Sequence, residues 1–420
     1  FAALNIPPLS SLESILKGTG EREISTTMAF VRILSALIKD KEIGERIVPI
    51  VPDEARTFGM EGMFRQLGIY SSVGQLYEPT DTGQIMYYRE DQSGQVMEEG
   101  INEGGAFAAW LAAATSYSNN ETPLIPFYIY YSMFGFQRIG DLCWAAGDMQ
   151  ARGFLLGGTS GRTTLNGEGL QHQDGHSHIL SSTVPNCVSY DPTYAYELAV
   201  IVHRGLVEMY IEKLPHYYYI TVMNENYAQP EMPAGTEEGI LKGMYLLQKN
   251  STKSSKKVVQ LLGSGTILRE SIAAAELLKK DFGVSADIWS VTSFNELRRE
   301  GLSVHRWNML HPEEAPMQSY VEECLVGSKG PVIAATDYMK SYADQVREFI
   351  PRTYTVLGTD GFGRSDTRAR LRNFFEVDRY YIAVAALSSL VLDNVIEASQ
   401  VKKAMTKYSI DPDKSDPATL

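Results

Sequence analysis

Two patterns of apolar residues alternate along the chain: residues spaced at the helical period, and short unbroken apolar runs. Ser25 and Thr26 offer an N-cap, and apolar residues then recur at helical spacing across 30–38. A short apolar run follows at 47–51 and predicts a buried strand despite its proline. A polar loop comes next. Helix, strand and polar loop in this order are typical of α/β proteins.

The same alternation continues through the rest of the chain. The further predicted elements are strands at 124–131, 218–223, 258–262 and 288–291 and a helix at 267–280. The stretch 229–235, which contains two prolines and a glycine, interrupts the pattern. We place a domain boundary there, between predicted domains 1–232 and 233–420.

Composition narrows the class of protein. With 420 residues, 44% of them hydrophobic, the chain is long enough for about two domain cores. Its net charge of −13 argues against a nucleic-acid backbone or an anionic membrane as partner. Cys143, Cys187 and Cys324 form no CxxC pair, which favours a reducing, cytoplasmic location without structural zinc. The apolar run 381–392 is too short to cross a bilayer and predicts a core segment of a soluble protein.

A single acid, Glu103, stands directly before the apolar stretch 106–114. An acid there can satisfy free backbone N–H groups and the dipole of a first helical turn. Alternatively, it can face an apolar pocket, where one hydrogen bond shared with a bound ring is strong. The surrounding sequence favours the second interpretation.

Four runs of the chain carry a resemblance to a known family. They are DEARTFGMEG at 53–62, INEGGAF at 101–107, YIYYSMFGFQR at 128–138 and GGTSGRTTLNGEGLQH at 157–172. Over its whole length the chain resembles the middle and carboxy-terminal domains of the homodimeric, thiamin-diphosphate-dependent pyruvate dehydrogenases. The resemblance implies an α/β fold of two transketolase-like domains, a pyrimidine-binding domain and a carboxy-terminal domain. Each would be a mainly parallel sheet flanked by helices.

The resemblance also implies oxidative decarboxylation of pyruvate and reductive acetylation of a lipoyl group. In this family a glutamate on the pyrimidine ring of the cofactor promotes the tautomer whose amino group acts as the base, and Glu103 matches that residue. Phe134 matches the residue that stacks on the pyrimidine, with Tyr131 beside it. The alternative, that Tyr128, Tyr130 and Phe134 merely alternate along a core strand, is preferred for Tyr128.

Asp53 and Glu54 follow a predicted strand, at the position where α/β proteins place ligands. By the resemblance, this pair lies beside the pyrimidine near a subunit interface. Asp53 would then contact the cofactor side, and Glu54 would relay protons between active centres. A salt bridge to Arg56 or Arg138 is the alternative.

His172, His176 and His178 lie in one loop. Three histidines could form a metal cluster, but a glycine-containing loop without cysteine or a helical histidine pair is a poor metal cage. The resemblance instead implies that His172 meets substrate or the lipoyl group, while His176 and His178 keep the loop in shape. Histidine can donate a proton there near neutral pH. We predict no metal ligand in the chain.

The turn Gly263-Ser264-Gly265 lies between a predicted strand and a predicted helix. Such a turn could present N–H groups to a phosphate. The remaining glycine of a dinucleotide fingerprint is missing, which favours a plain close-packed turn.

The family holds Mg²⁺ and the diphosphate through a Gly-Asp-Gly motif and a later asparagine, and the chain has no Gly-Asp-Gly. It also starts at Phe1 without a methionine or a signal peptide, so we expect it to begin within a longer protein. Half of an active site is therefore predicted, inactive alone. The diphosphate-binding domain and a second subunit would complete it, and the lipoyl domain of the dihydrolipoamide acetyltransferase would be its partner.

Two other functions remain open. One is a noncatalytic assembly or dimerisation subunit, although such a scaffold would not need Glu103 in a pocket. The other is a different 2-oxo-acid or transketolase-like thiamin enzyme, because no residue of the chain selects a methyl group by its own chemistry.

Overall fold

A computed structural model describes residues 2–52 and 55–420, and the chain forms two compact units. The first contains Phe1–Ser160, Leu180–Ser189 and Tyr194–Met232, and the second contains Gly161–Ile179, Tyr190–Thr193 and Pro233–Leu420. Two stretches from within 1–232 therefore pack with the second unit. We keep 1–232 and 233–420 as proposed sequence domains.

One six-stranded sheet forms the centre of the first unit, with the strand order β5-β2-β6-β7-β9-β8. The strands up to Met232 are β1 (Glu23–Ile24), β2 (Ile47–Val51), β3 (Ile69–Tyr70), β4 (Glu90–Asp91), β5 (Met97–Glu98), β6 (Ile125–Tyr131), β7 (Phe154–Gly158), β8 (Cys187–Tyr190), β9 (Tyr217–Thr221) and β10 (Tyr227–Ala228). From β5 to β9 the neighbouring strands pair in parallel. Strands β1 and β10 form a separate antiparallel pair, and β3 and β4 a parallel one.

Helices cover this sheet. Those up to Met232 are α1 (Glu13–Leu16), α2 (Thr26–Ile38), α3 (Glu61–Leu67), α4 (Glu103–Ala114), α5 (Ser116–Asn119), α6 (Phe136–Asp148), α7 (Ser177–Ser181) and α8 (Ala195–Tyr210). The predicted start of α2 is confirmed, because the Ser25 hydroxyl accepts a hydrogen bond from the Met28 N–H at 3.1 Å. This contact satisfies one of the free donors of the first turn.

Aromatic side chains fill the core of the first unit. The rings of Phe127 on β6 and Phe154 on β7 stack at 4.5 Å. Trp110 on α4 donates its indole N–H to the Phe154 carbonyl at 3.1 Å and meets the ring of Tyr217 edge-on at 5.6 Å. A parallel sheet covered by helices buries both faces of its inner strands, which explains the nearly unbroken apolar runs in the sequence.

The second unit has a five-stranded sheet with the order β11-β13-β12-β14-β15. Its strands are β11 (Met244–Gln248), β12 (Val258–Gly263), β13 (Ser285–Val291), β14 (Val332–Ala335) and β15 (Tyr354–Leu357). Its helices are α9 (Glu237–Lys242), α10 (Ile267–Phe282), α11 (Phe294–Leu310), α12 (Tyr320–Leu325), α13 (Lys340–Asp344), α14 (Arg368–Phe374), α15 (Arg379–Leu392) and α16 (Ala398–Lys407). Strand β11 is antiparallel to β13, and the other pairs are parallel.

The prediction of an α/β fold with mainly parallel sheets is confirmed. The run 381–392 lies in α15, whose first turn is capped by Asp378 accepting from two N–H groups at 3.0 Å. In the described part of the chain, no helix is both long and apolar enough to cross a membrane.

Candidate functional site

The carboxyl ends of β5, β2 and β6 meet at one edge of the first sheet, because the three strands are adjacent and parallel. After β2, the chain forms β5 on one side of it and then β6 on the other. Open α/β sheets bind ligands at such a switch point. Glu103 follows β5 and Phe134 follows β6. Asp53 and Glu54 follow β2 but lie outside the described residues.

Glu103 is the first residue of α4. The helix is capped by its neighbour Asn102, whose side-chain oxygen accepts from the Gly105 N–H at 3.0 Å. The Glu103 carboxylate instead receives a hydrogen bond from Arg138, with Nη1 and Oε1 3.0 Å apart. The acid complements the helix dipole from this position without acting as the cap.

The carboxylate stands above an apolar floor. Its side chain is 15% exposed, and the helix below it buries Phe107 and Trp110, whose rings lie 5.0 Å apart. Tyr128 on β6 is fully buried in the same cluster, as predicted for a core residue. Burial, together with the negative charge of Glu103, raises the pKa of Tyr128. Glu103 therefore lies at the border between solvent and core.

Arg138 joins Glu103 to the predicted stacking residue. Its guanidinium carbon lies 4.0 Å above the centre of the Phe134 ring, a distance typical of a cation–π contact. Tyr131 meets Phe134 edge-on, with ring centres 6.0 Å apart. From the sequence, Arg138 was considered as a salt-bridge partner of the acidic pair Asp53 and Glu54. Phe134 ends a 3-10 turn and Arg138 lies in the first turn of α6, so the helical spacing of a single element did not signal this contact.

Gly135 is required by the packing beneath Phe134. A Cβ atom at this position would lie 2.1 Å from Cε2 of Tyr130, a side chain of β6. The group that closely approaches this glycine is therefore the side chain of Tyr130. The glycine lets the chain enter α6 directly after Phe134.

His172 belongs to the second unit. It ends a 3-10 turn, Leu170–His172, and is half-buried. Further along the loop, the buried carboxylate of Asp174 accepts from the backbone N–H groups of His176 and Ser177, each at 2.9 Å. These bonds give the loop a defined shape.

His178 is fully buried between aromatic rings. Its imidazole stacks on Tyr342 at 4.8 Å and meets Tyr338 edge-on at 4.9 Å. Burial lowers the pKa of His178 to about 4, so the imidazole is neutral near pH 7. These contacts support the expected role of His178 in shaping the loop.

Two ligand hypotheses can be compared with the geometry. In the described part of the chain, no group of three His, Cys, Asp or Glu side chains is placed to hold a metal ion. At the glycine turn after β12, the Ser264 N–H donates to Ala335 at 3.3 Å, and Gly265 accepts from the Thr193 hydroxyl at 2.7 Å. A Cβ at Gly263 would lie 2.6 Å from Cα of Leu268. These contacts fit a close-packed turn.

The comparison with known families assigns the chain. Residues 4–230 match the pyruvate dehydrogenase E1 component middle domain. The chain belongs to the pyruvate dehydrogenase E1 component family. Residues 243–378 match the transketolase-like TK C-terminal domain. The family that the sequence motifs indicated is thereby confirmed.

Named relatives agree with this assignment. A pyruvate dehydrogenase E1 component of Pseudomonas aeruginosa is 68% identical over 413 residues, which are 98% of this chain and 47% of that protein. That of Escherichia coli K12 is 60% identical over 416 residues, 99% of this chain and 46% of that protein. The chain thus spans about half the length of the curated relatives it matches.

Solved structures share the fold. A Campylobacter jejuni transketolase aligns with a TM-score of 0.64 at 17% identity, covering 92% of this chain and 49% of that one. A split-gene transketolase, described as an inactive β4 tetramer, aligns with a TM-score of 0.56 at 15% identity, covering 88% of this chain and 99% of that one. At such low identity these matches show a transketolase-like α/β fold and nothing further.

In this member of the pyruvate dehydrogenase E1 component family, the structure brings together Glu103, Tyr131 and Phe134 in the first unit. Arg138 joins them, and the sequence analysis did not place it there. His172 lies in the second unit, although its position in the sequence falls within 1–232.

We predict that the buried His178 makes stability depend on pH. Because its pKa falls from 6.5 to about 4 on folding, the unfolded chain binds a proton more readily below pH 6.5. Stability should therefore fall as the pH drops from 6.5 towards 4, by up to about 3 kcal/mol. His178→Phe keeps a ring between the tyrosines and should flatten this dependence in urea unfolding. The partly exposed His305, in the same unit, provides the control variant His305→Phe. An equal pH dependence in both variants would contradict the assignment.

Proposed function

We propose that the chain supplies the pyrimidine side of the thiamin diphosphate site in a pyruvate dehydrogenase (acetyl-transferring). The observation that carries the proposal is the position of Glu103 at the sheet switch point. Arg138 contacts both the carboxylate of Glu103 and the ring of Phe134. Relatives at 60–68% identity carry the name pyruvate dehydrogenase E1 component. Because the chain spans about half of them, the reaction, substrate and partners of the whole protein form part of the proposal.

The residues present fit a pyrimidine ring. Oε1 of Glu103 accepts a hydrogen bond from Arg138, and within the described residues Oε2 forms no hydrogen bond. Oε2 is therefore the atom that would accept a hydrogen bond from a ring nitrogen. The ring itself would stack on the face of Phe134 opposite Arg138, over the apolar floor of α4.

The bound cofactor would supply a carbon nucleophile for the ketone carbon of pyruvate and an electron sink for loss of carbon dioxide. Glu103 would hold or share a proton at the ring nitrogen. Arg138 would orient the carboxylate through the hydrogen bond that it donates at 3.0 Å. Tyr131 would support the Phe134 ring by its edge contact.

Asp53 and Glu54 are proposed for the same sheet edge because they follow β2 in the sequence. Asp53 would border the cofactor. Glu54 would relay protons between active centres. Both roles are proposed from the sequence resemblance.

Mg²⁺ and the diphosphate would be bound by polypeptide other than this chain, which contains no Gly-Asp-Gly. The proposed partners are the diphosphate-binding domain of the same enzyme and the second subunit of a homodimer. A precedent for separation of the halves is the split-gene transketolase, whose whole length this chain nearly covers and which is described as inactive.

His172 is proposed to act where the acetyl group passes to the lipoyl domain of the dihydrolipoamide acetyltransferase. It is half-buried at the end of a short turn. An imidazole can donate a proton near neutral pH.

Glu103→Gln in the complete enzyme should slow exchange of the proton on the thiazolium carbon by about 100-fold or more, as expected for loss of a general acid–base group. Proton NMR of the bound cofactor measures the exchange directly. Asp141→Asn removes an exposed carboxylate from α6 and should leave the rate unchanged. Equal exchange in wild type and Glu103→Gln, with cofactor bound, would refute the role of Glu103.

His172→Ala should lower the turnover of the assembled complex more than decarboxylation measured with an artificial electron acceptor, because only the former requires the lipoyl group. Gln171→Ala, on the same short turn, is the matched control. If both assays fall equally, His172 acts in pyruvate binding or decarboxylation. If neither falls, the residue is structural.

The polypeptide 1–420 alone should not turn over pyruvate. One carboxylate and one stacking ring cannot replace the metal and the charged contacts of two phosphates, so the Kd for thiamin diphosphate with Mg²⁺ should exceed about 100 µM. Calorimetric titration measures it. Addition of the diphosphate-binding domain should restore tight binding. Micromolar binding by 1–420 alone would show that its share of the site has been misjudged.

A further inference from the structure

The second sheet has a switch point of its own. From β12 the chain passes through α10 to β13 on one side, and then through α11 to β14 on the other side of β12. The carboxyl ends of β12 and β14 therefore border the crevice in which open α/β sheets bind ligands. Asp337 follows β14 at this crevice and is fully buried.

A segment of the chain itself occupies this crevice. Oδ1 of Asp337 accepts from the N–H and the hydroxyl of Thr163 at 2.8 and 2.6 Å. Oδ2 accepts from the N–H and the hydroxyl of Thr164 at 3.1 and 2.5 Å. The Thr164 hydroxyl also contacts that of Thr266, after β12, at 2.5 Å. Both oxygens of the buried carboxylate are thus saturated by two consecutive residues of the loop that later carries His172.

The neighbouring glycine allows this approach. Gly161 adopts φ +87°, and a Cβ there would lie 2.2 Å from Oδ2 of Asp337. The next residue, Arg162, donates its backbone N–H to the Asp337 carbonyl at 3.2 Å and its guanidinium to the Gly361 carbonyl at 2.6 Å. The start of the loop is therefore held by side-chain and backbone bonds together.

The end of the same loop segment is also held. Arg368 donates to the Thr164 carbonyl at 2.6 Å. Gln173, directly after His172, donates to the Leu165 carbonyl at 2.7 Å and accepts from the Arg364 N–H at 2.7 Å. His172 consequently lies between two anchored points of the second unit.

We propose that Asp337 is a positioning residue for His172. In this proposal the ligand crevice of the carboxy-terminal unit binds residues 163–164 and thereby anchors the loop that carries His172. The proposal deepens the proposed function and rests on it for the role of His172. Asp337 touches no reacting group. It acts by fixing 163–164, and through them the turn that presents the imidazole.

The same sheet provides a matched control. Asp287 on β13 is also fully buried, and it accepts from Lys249, from the N–H of Asn250 at 2.9 Å, and from the N–H and hydroxyl of Ser251, both at 2.7 Å. The loop that it holds, 249–257, contains no proposed site residue. Asp287→Asn therefore matches the loss of buried hydrogen bonds without disturbing His172.

The test compares Asp337→Asn and Asp287→Asn in the complete enzyme and complex. We expect Asp337→Asn to reduce lipoyl-dependent turnover by about tenfold or more, because small displacements of a functional group are costly. Decarboxylation with an artificial acceptor should change by less than about threefold. In the double variant with His172→Ala, the two losses should not multiply, because both act through one residue. Thr164→Val, which keeps the backbone N–H, should show a smaller loss of the same kind if Asp337→Asn folds poorly.

Hydrogen exchange tests whether Asp337 anchors the loop independently of what His172 does. Amides of 163–172 should exchange faster in Asp337→Asn and at the wild-type rate in Asp287→Asn. If the losses of activity multiply in the double variant Asp337→Asn with His172→Ala, Asp337 only stabilises the fold. The same conclusion follows if both activities fall equally in Asp337→Asn and in Asp287→Asn. If His172→Ala changes neither activity, the proposed role of His172 is wrong. If the amides of 163–172 exchange at the wild-type rate in Asp337→Asn, the proposal that Asp337 anchors this loop is wrong.

Discussion

The parallel pairing of β5, β2 and β6 is the constraint on which the candidate site depends. Parallel neighbours place their carboxyl ends at one sheet edge, so residues far apart in the sequence leave the strands side by side. Glu103 reaches this edge because α4 starts there, and Phe134 because β6 ends there. A shift of β6 by one residue would move Tyr128 to the opposite face of the sheet and change the exit of the chain towards Phe134.

Arg138 converts this proximity into a defined arrangement. One guanidinium touches the carboxylate of Glu103 at 3.0 Å and the ring of Phe134 at 4.0 Å. A half-exposed ion pair contributes little to stability. Its value lies in orientation, since it fixes which oxygen of Glu103 remains for another partner. The packed Gly135 beneath Phe134 adds to the rigidity of this turn.

The second unit has a switch point of its own. Its crevice holds two threonines of the chain, bound to a buried carboxylate with four donors. A buried aspartate is tolerable only when such donors satisfy it. The carboxy-terminal unit therefore fixes the start of the loop that carries His172.

The sequence by itself predicted several of the elements and indicated the family. Local periods predicted α2, β2, β6 and α10 near their observed bounds, because helix and strand patterns are set by neighbours along the chain. The motifs placed Glu103 and Phe134 in the site by resemblance, and the family matches confirm the family but not these roles. Only the tertiary structure showed Arg138 on both residues and the loop 161–179 in the second unit. Asp337 was equally invisible, because an aspartate after a strand has no local signal for donors that come from 163–164. Such contacts form between residues distant in sequence, and folding alone decides which of them meet.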